Sequence, residues 1–275
     1  MLLRDTVFPL LTSRTLNRTG VLAVALGAYS VLPILKEYTQ YHDFAEMPSD
    51  MHAALSLVLG ALLVFRTNSS YSRWWEARTL WGALVNSSRN LSVKLASLVE
   101  LTDEDKLFLQ GRIAEFPRRL MVHLRMPTQS TDHPTSTNCV HRPLAVVQQL
   151  YRWVHHKRQQ GLIDGDELRV IDCELAKLLD ICGGCERSAR TPFVRSYRIF
   201  ARQCVILFLL TFPWGVAADF QWWTIPLTMI ISYFMIGMEI VSEHVEEPFG
   251  HDEDDLDLEG LCETIERSVT SVFTS

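Results

Sequence analysis

Apolar residues along the chain are concentrated in four stretches that contain no Asp, Glu, Lys or Arg. A helix that crosses about 30 Å of hydrocarbon needs roughly 20 residues, and the last stretch, residues 220–238, meets that length alone. The stretches form two pairs, and Trp214, Trp222 and Trp223 lie close to Asp219, which separates the second pair. Tryptophans at the tip of a helical hairpin are typical of a membrane interface. The pattern predicts four membrane helices, at about residues 20–35, 51–66, 204–218 and 220–238.

The three shorter stretches leave a second interpretation open, in which they are buried core helices of a water-soluble protein.

The amino-acid composition excludes one class of protein and disfavours another. Hydrophobic residues make up 48% of the 275 residues, which excludes a disordered chain. The net charge of −6 gives no basic excess with which to neutralise nucleic-acid phosphates, so we expect no nucleic-acid partner.

Basic residues define the predicted orientation. The segment between the second and third predicted helices, residues 66–203, holds 21 of the 26 Lys and Arg residues, whereas the connection 36–50 contains only Lys36. Under the positive-inside rule this places both termini and the long middle segment in the cytoplasm. The first residues do not match a secretory signal, because Arg4, Asp5 and Arg14 interrupt their apolar run.

The middle of the chain is predicted to be helical on both sides of one loop. Leucines recur at three- to four-residue spacing from Ser70 to Val99 without a stop signal before them, so one helix is predicted over about 51–100. Further helices are predicted at 103–125, kinked or ended at Pro117, and at 144–160 and 166–179, with a loop over 126–142. The predicted fold is therefore all-α and polytopic. A single domain, 1–275, comprises the membrane helices, a cytoplasmic helical region (67–203) and an acidic cytoplasmic tail (239–275).

The acidic tail is the first candidate for metal binding. It holds 12 of the 32 acidic residues, among them Asp252, Asp254 and Asp255. These residues do not match the EF-hand template, because no glycine occupies its sixth position. We therefore interpret the tail as a solvated acidic turn and expect no cofactor. A divalent-cation site, for example for calcium, and a contact with a basic patch of another subunit remain weaker alternatives.

The cysteines and histidines of the sequence do not form a metal-binding or catalytic motif. Cys182 and Cys185 form the only close cysteine pair, without the second pair or histidine pair that a zinc site needs, and are interpreted as small helix-end residues. His155 and His156 are interpreted as a polar helix face. The sequence shows no phosphate-binding loop, Ser/His/Asp set or HExxH motif, so we do not expect an enzyme.

Three ordered motifs carry a resemblance to a known family. The segment from Phe65 to Gly82 reads FRTNSSYSRWWEARTLWG, residues 186–193 read ERSARTPF, and residues 247–250 read EPFG ahead of an acidic run. Together they resemble the bacterial bestrophins over about residues 5–270. The signature residues are Arg66, Asn68, Arg73, Trp74, Trp75, Glu76 and Arg78.

The resemblance implies a homopentameric ion channel with one axial pore, in the inner membrane of a bacterium. Chloride is the permeant ion expected by default, and Na⁺ or K⁺ is the alternative. The resemblance places a hydrophobic neck at Leu57, Ala61 and Phe65, and a cytoplasmic constriction at Thr191. Ala61 and Thr191 depart from the family's usual bulky apolar residues, which weakens the expected seal at both positions. The expected partners are other copies of the chain, membrane lipid and permeant ions.

The residues themselves leave other interpretations open. Leu57, Ala61 and Phe65 are four residues apart and form one helical ridge, which could pack against neighbouring helices instead of lining a pore. The charged signature residues could bind anions, although packing and an Arg73–Glu76 pair are favoured. A transporter or lipid-handling protein is a further possibility. It is disfavoured because the spans carry no Asp, Glu, Lys or Arg apart from Asp219 and Glu239 at their ends, and a membrane-anchored enzyme or sensor is disfavoured because the middle segment lacks a catalytic set.

Overall fold

A computed structural model describes residues 14–40, 48–126, 141–191, 194–252 and 255–274. These residues are helical with short connections and contain no strand, as the sequence predicts. The helices are α1 (Arg14–Tyr29), α2 (Val31–Glu37), α3 (Ser49–Leu98), α4 (Asp103–Arg125), α5 (Arg142–Gln159), α6 (Gly165–Arg190), α7 (Arg195–Phe220), α8 (Thr224–Glu246) and α9 (Leu258–Thr274).

The contacts divide the chain into two compact units. The first, called here the apolar unit, comprises the described residues of 14–72 and 194–246, and α1 packs on α8, α2 on α7, and α7 on α8. Its core joins Leu59 and Leu63 of α3 to Val205, Phe208 and Phe212 of α7. Large apolar side chains cover its outside as well, including Val21, Leu32, Leu207, Ile230 and Phe234. A surface so apolar suits lipid and argues against a water-soluble core.

Three helical runs are long and apolar enough to cross a membrane, namely Asn17–Glu37, Asp50–Leu98 and Arg195–Glu246. The third run contains two of the four predicted membrane helices. A short 3-10 turn, Gln221–Trp223, divides it into α7 and α8 and begins at Gln221 with a φ of 47°. Because α7 and α8 pack against each other, this run is a helical hairpin, with Trp222 and Trp223 exposed at its tip.

The second unit, called here the polar unit, comprises the described residues of 73–191 and 247–274. Its core surrounds Trp81 of α3, which is fully buried. α4 packs on α5 and α9, and α5 packs on α6. The acidic tail contributes to this core, since the apolar face of α9 buries Ile265, Val269 and Phe273.

α4 has its predicted bounds, 103–125, and does not end at Pro117, whereas α6 is longer than predicted. α4 continues through Pro117, which is buried inside the helix, so packing compensates for the hydrogen bond that proline removes. α6 extends to Arg190 instead of ending at 179, and Cys182 to Cys185 lie within the helix instead of at its end. A Cβ on Gly184 would lie 2.9 Å from a Leu80 methyl, so glycine at this position permits the close approach of α3.

One buried carboxylate joins the beginning of α4 to α5. Asp105 completes a capping box with Thr102, accepts a hydrogen bond from the Lys157 ammonium at 2.6 Å, and accepts another from the Trp153 indole at 2.9 Å. Burial alone would raise the pKa of Asp105, but these hydrogen bonds hold it well below the ordinary value of 3.8. The carboxylate therefore stabilises the folded state in its charged form.

Replacing Asp105 by Ala should destabilise the protein by about 3 kcal/mol, because Lys157 would remain buried without its counter-charge. The lowered pKa means that the stabilisation is complete above pH 3.8 and is lost progressively as the pH falls below it. Thermal unfolding of the detergent-solubilised protein at several pH values measures both effects. Asp180→Ala, at an exposed site on α6, is the control and should change stability by less than about 0.5 kcal/mol. Equal losses in the two variants would contradict the assignment.

Candidate functional site

A ridge of apolar side chains projects from α3 and is exposed among the residues that the structure describes. Leu57 is 77% exposed, Phe65 is 69% exposed, and Ala61 between them is exposed as well. On the opposite face of the same turns, Leu59 and Leu63 are buried in the core of the apolar unit. The three predicted neck residues therefore share one open face of the helix.

The residue after Phe65 has the opposite environment. The Arg66 side chain is 1% exposed and is paired with Glu239 of α8. Glu239 also accepts a hydrogen bond from Arg202 Nε of α7 at 2.9 Å, and Arg202 reaches Glu243 at 2.6 Å. This four-residue charge network joins α3, α7 and α8. Thr67 and Ser242 add a hydrogen bond of 3.0 Å between α3 and α8 beside it.

The network leaves some buried polar atoms unmatched. Within the described residues, Arg66 Nε and Nη2 and Glu239 Oε2 are buried without a hydrogen-bond partner. Removing a charged group from water costs several kcal/mol unless its counter-charge is in place. Glu239 is therefore the residue on which burial of Arg66 depends.

A second arginine of α3 holds the end of α6. Arg73 donates from Nη2 to the carbonyl of Ser188 at 2.9 Å and from Nη1 to the carbonyl of Thr191. A cation is favourable at this end of a helix, where carbonyl groups lack partners. Glu76, one turn further along α3, pairs with Arg187 of α6 at 3.1 Å. Thr191 caps α6 and is itself exposed, so Arg73 fixes the position of the predicted constriction residue.

The comparisons with known proteins agree with this architecture. Residues 4–271 match the family model described as bacterial/fungal bestrophin protein. The chain belongs to the bestrophin family. A voltage-dependent anion channel-forming protein of Nostoc sp. is 33% identical over 227 residues, which are 78% of this chain and 74% of that protein. A protein of the same name from Mesorhizobium japonicum is 33% identical over 223 residues, 78% of this chain and 72% of that protein.

Solved structures show the same fold. Two crystal structures of variants of a bacterial bestrophin homologue from Klebsiella pneumoniae align with this bestrophin. One has a TM-score of 0.84 at 23% identity and covers 96% of this chain and 99% of the other. The second has a TM-score of 0.82 at 25% identity and covers 96% and 100% of the two chains.

The remaining signature residues of this bestrophin have differing environments. Trp74 is partly buried against the core of the polar unit, whereas Trp75 is 57% exposed. Asn68 and Arg78 are exposed. In the acidic tail, Asp255 Oδ2 accepts a hydrogen bond from the Asp252 backbone amide at 2.6 Å, while Asp254 lies outside the described residues.

Sequence reasoning missed the partners of the two arginines. Arg202 and Glu239 lie 37 residues apart and far from Arg66 in the sequence. One signal was present, because Glu239 is an acidic residue at the end of an otherwise uncharged stretch. Such a residue next to hydrocarbon needs a cationic partner.

Replacing Glu239 by Gln should destabilise the apolar unit by about 3 kcal/mol, because Arg66 would remain buried without a carboxylate. Glu243→Gln is the matched control, since the Glu243 side chain is 42% exposed and that of Glu239 is 10% exposed. We expect the control to lose less than about 1 kcal/mol. Thermal unfolding in detergent measures both, and a loss for Glu243→Gln as large as that for Glu239→Gln would show that burial of Arg66 does not depend on Glu239.

Proposed function

We propose that the chain assembles as a homopentamer and conducts anions, chloride among them, passively across the bacterial inner membrane. The observation that carries the proposal is the exposed ridge of Leu57, Ala61 and Phe65 on a helix whose opposite face is buried. The names of the relatives from Nostoc and Mesorhizobium support anion conduction. Four membrane helices per chain and contact with lipid belong to the same proposal.

Five copies of α3 around an axis would stack three apolar rings. A narrow apolar ring opposes ion passage by expelling water, and widening it or making it polar weakens that barrier. Phe65 supplies the bulkiest ring, Leu57 an intermediate one, and Ala61 leaves the middle ring open. The barrier that the neck presents to ions should therefore depend mainly on Phe65.

The arrangement of charge is compatible with a passive channel. Arg66 of α3, Arg202 near the beginning of α7, and Glu239 and Glu243 near the end of α8 pair with one another. A coupled transporter usually places an ionisable group at mid-membrane instead. At the second constriction, Thr191 would supply a ring of hydroxyl groups that replace part of an ion's hydration.

Phe65→Ala should raise single-channel conductance or open probability, because the largest apolar ring is removed. Ala61→Ile should lower it, because a second bulky ring is added. Recordings in planar bilayers measure both, alongside the number of subunits in detergent. Leu63→Ala is the control, since Leu63 faces the core and its truncation should cost about 2–4 kcal/mol of stability without widening the neck.

The same recordings test the function itself under unequal chloride concentrations. The reversal potential should follow the chloride gradient. A potential that follows Na⁺ or K⁺ would make this protein a cation channel of the same fold. A monomer or dimer without current would overturn the channel proposal. If Phe65→Ala leaves the current unchanged but dissociates the pentamer, the ridge is a subunit interface.

We propose that conduction needs no cofactor, so calcium should change neither current nor melting temperature.

We also propose that both termini and the polar unit are cytoplasmic. Asp219→Cys, at the tip of the α7–α8 hairpin, should react with a membrane-impermeant thiol reagent added to intact spheroplasts. Native Cys173, which is exposed on α6, is an internal control and should react only after the membrane is permeabilised. Labelling of Cys173 in intact spheroplasts would reverse the orientation.

A further inference from the structure

Three titratable side chains from three helices of the polar unit meet at one point. His123 lies in the last turn of α4, His141 precedes the first residue of α5, and Glu186 lies near the end of α6. Glu186 Oε1 is 2.8 Å from His123 Nε2 and 2.5 Å from His141 Nε2. All three side chains are partly buried, and one ligand atom from each lies within 4.8 Å of the others.

We infer that His123, His141 and Glu186 bind a transition-metal ion of the zinc type. Two imidazole nitrogens and one carboxylate oxygen are the ligands that zinc takes in three-ligand sites, with water in the fourth position. Calcium and magnesium prefer oxygen ligands throughout, so this donor set disfavours them. The function proposed above is not needed for this inference.

The local geometry accommodates an ion after small side-chain rotations. Ligand atoms around tetrahedral zinc are about 3.3 Å apart, so the carboxylate and the two imidazoles would separate by less than about 1 Å. The His123 and His141 ring centroids are 4.4 Å apart, and both Nε2 atoms contact the same oxygen of Glu186, Oε1. His141 Nδ1 accepts a long contact of 3.4 Å from the Leu144 amide, which it would give up to carry the proton displaced from Nε2.

The surroundings support the carboxylate as a ligand. The Cys182 thiol, one turn earlier on α6, donates to Glu186 Oε1 at 3.8 Å and orients it. Outer hydrogen bonds of this kind fix the ligands of metal sites.

A bound ion would join the end of α4 and the beginning of α5 to α6. On α6, Glu186 lies five residues before Thr191, and Arg73 holds the Ser188 and Thr191 carbonyls in the same segment. The ion would therefore cross-link the helix end that carries the predicted constriction residue. Binding to the folded protein alone would stabilise it by linkage.

Isothermal titration of the full-length, metal-free protein in detergent with zinc chloride tests the site, together with its melting temperature. We expect one zinc ion per chain, a raised melting temperature, and no such effect with calcium chloride. The double variant His123→Gln/His141→Gln should bind zinc at least about 100-fold more weakly. The matched control is His155→Gln/His156→Gln, which removes two exposed histidines of α5 and should bind as the wild type does.

Absence of zinc binding by the wild type, or equal loss in the two double variants, would overturn the inference. If the His123/His141 variant does not fold, Glu186→Gln replaces it, since the amide keeps the size of the side chain. X-ray absorption at the zinc edge gives a readout that needs no variant. A shell of two imidazoles and light-atom ligands supports the site, and a shell without imidazole overturns it.

Discussion

Burial of the Arg66 guanidinium is the constraint on which the outward direction of the Leu57–Ala61–Phe65 ridge depends. A charge 1% exposed beside hydrocarbon must meet its counter-charge, and Glu239 is fixed on α8. Successive helical residues are rotated by about 100°, so fixing Arg66 toward α8 also fixes the direction of every other residue on that part of α3. Phe65, Ala61 and Leu57 are turned outward because Arg66 is turned inward. One ion pair thus orients a ridge more than two turns long.

Most charged residues of the signature therefore form contacts within the chain. Arg66 is directed to Glu239, Arg73 to the carbonyls at the end of α6, and Glu76 to Arg187. The guanidinium groups of Arg66 and Arg73 are thus directed into the protomer, the apolar ridge of Leu57, Ala61 and Phe65 is exposed, and Arg78 further along α3 is exposed as well. Anion preference would then arise from hydration at the rings and from backbone or hydroxyl dipoles such as those at Thr191, and not from a fixed cation in the neck.

Periodicity and hydropathy predicted the helices well, including a single α3 across 49–98, because each residue of a helix reports on its own neighbours. Contacts between distant residues were not predictable in the same way. Pro117 indicated a kink or an end, and the helix containing Cys182 and Cys185 was predicted to end at 179, yet both segments lie inside helices. The contact of His123 with Glu186 depends on how the end of α4 packs against the end of α6, which no local spacing encodes. The ridge was found because its spacing and the family motif agree.

The exposed face of α3 is wider than a pore lining requires. Leu55, Leu57, Val58, Ala61, Val64 and Phe65 are all exposed and cover an arc of about 180° at 100° per residue. In the proposed pentamer the edges of this arc would contact neighbouring copies, and its centre would face the axis. Phe65 lies within about 10° of that centre, Ala61 about 30° from it, and Leu57 about 70° from it. The most inward position therefore carries the largest of the three side chains, and closure of the proposed neck depends mainly on Phe65.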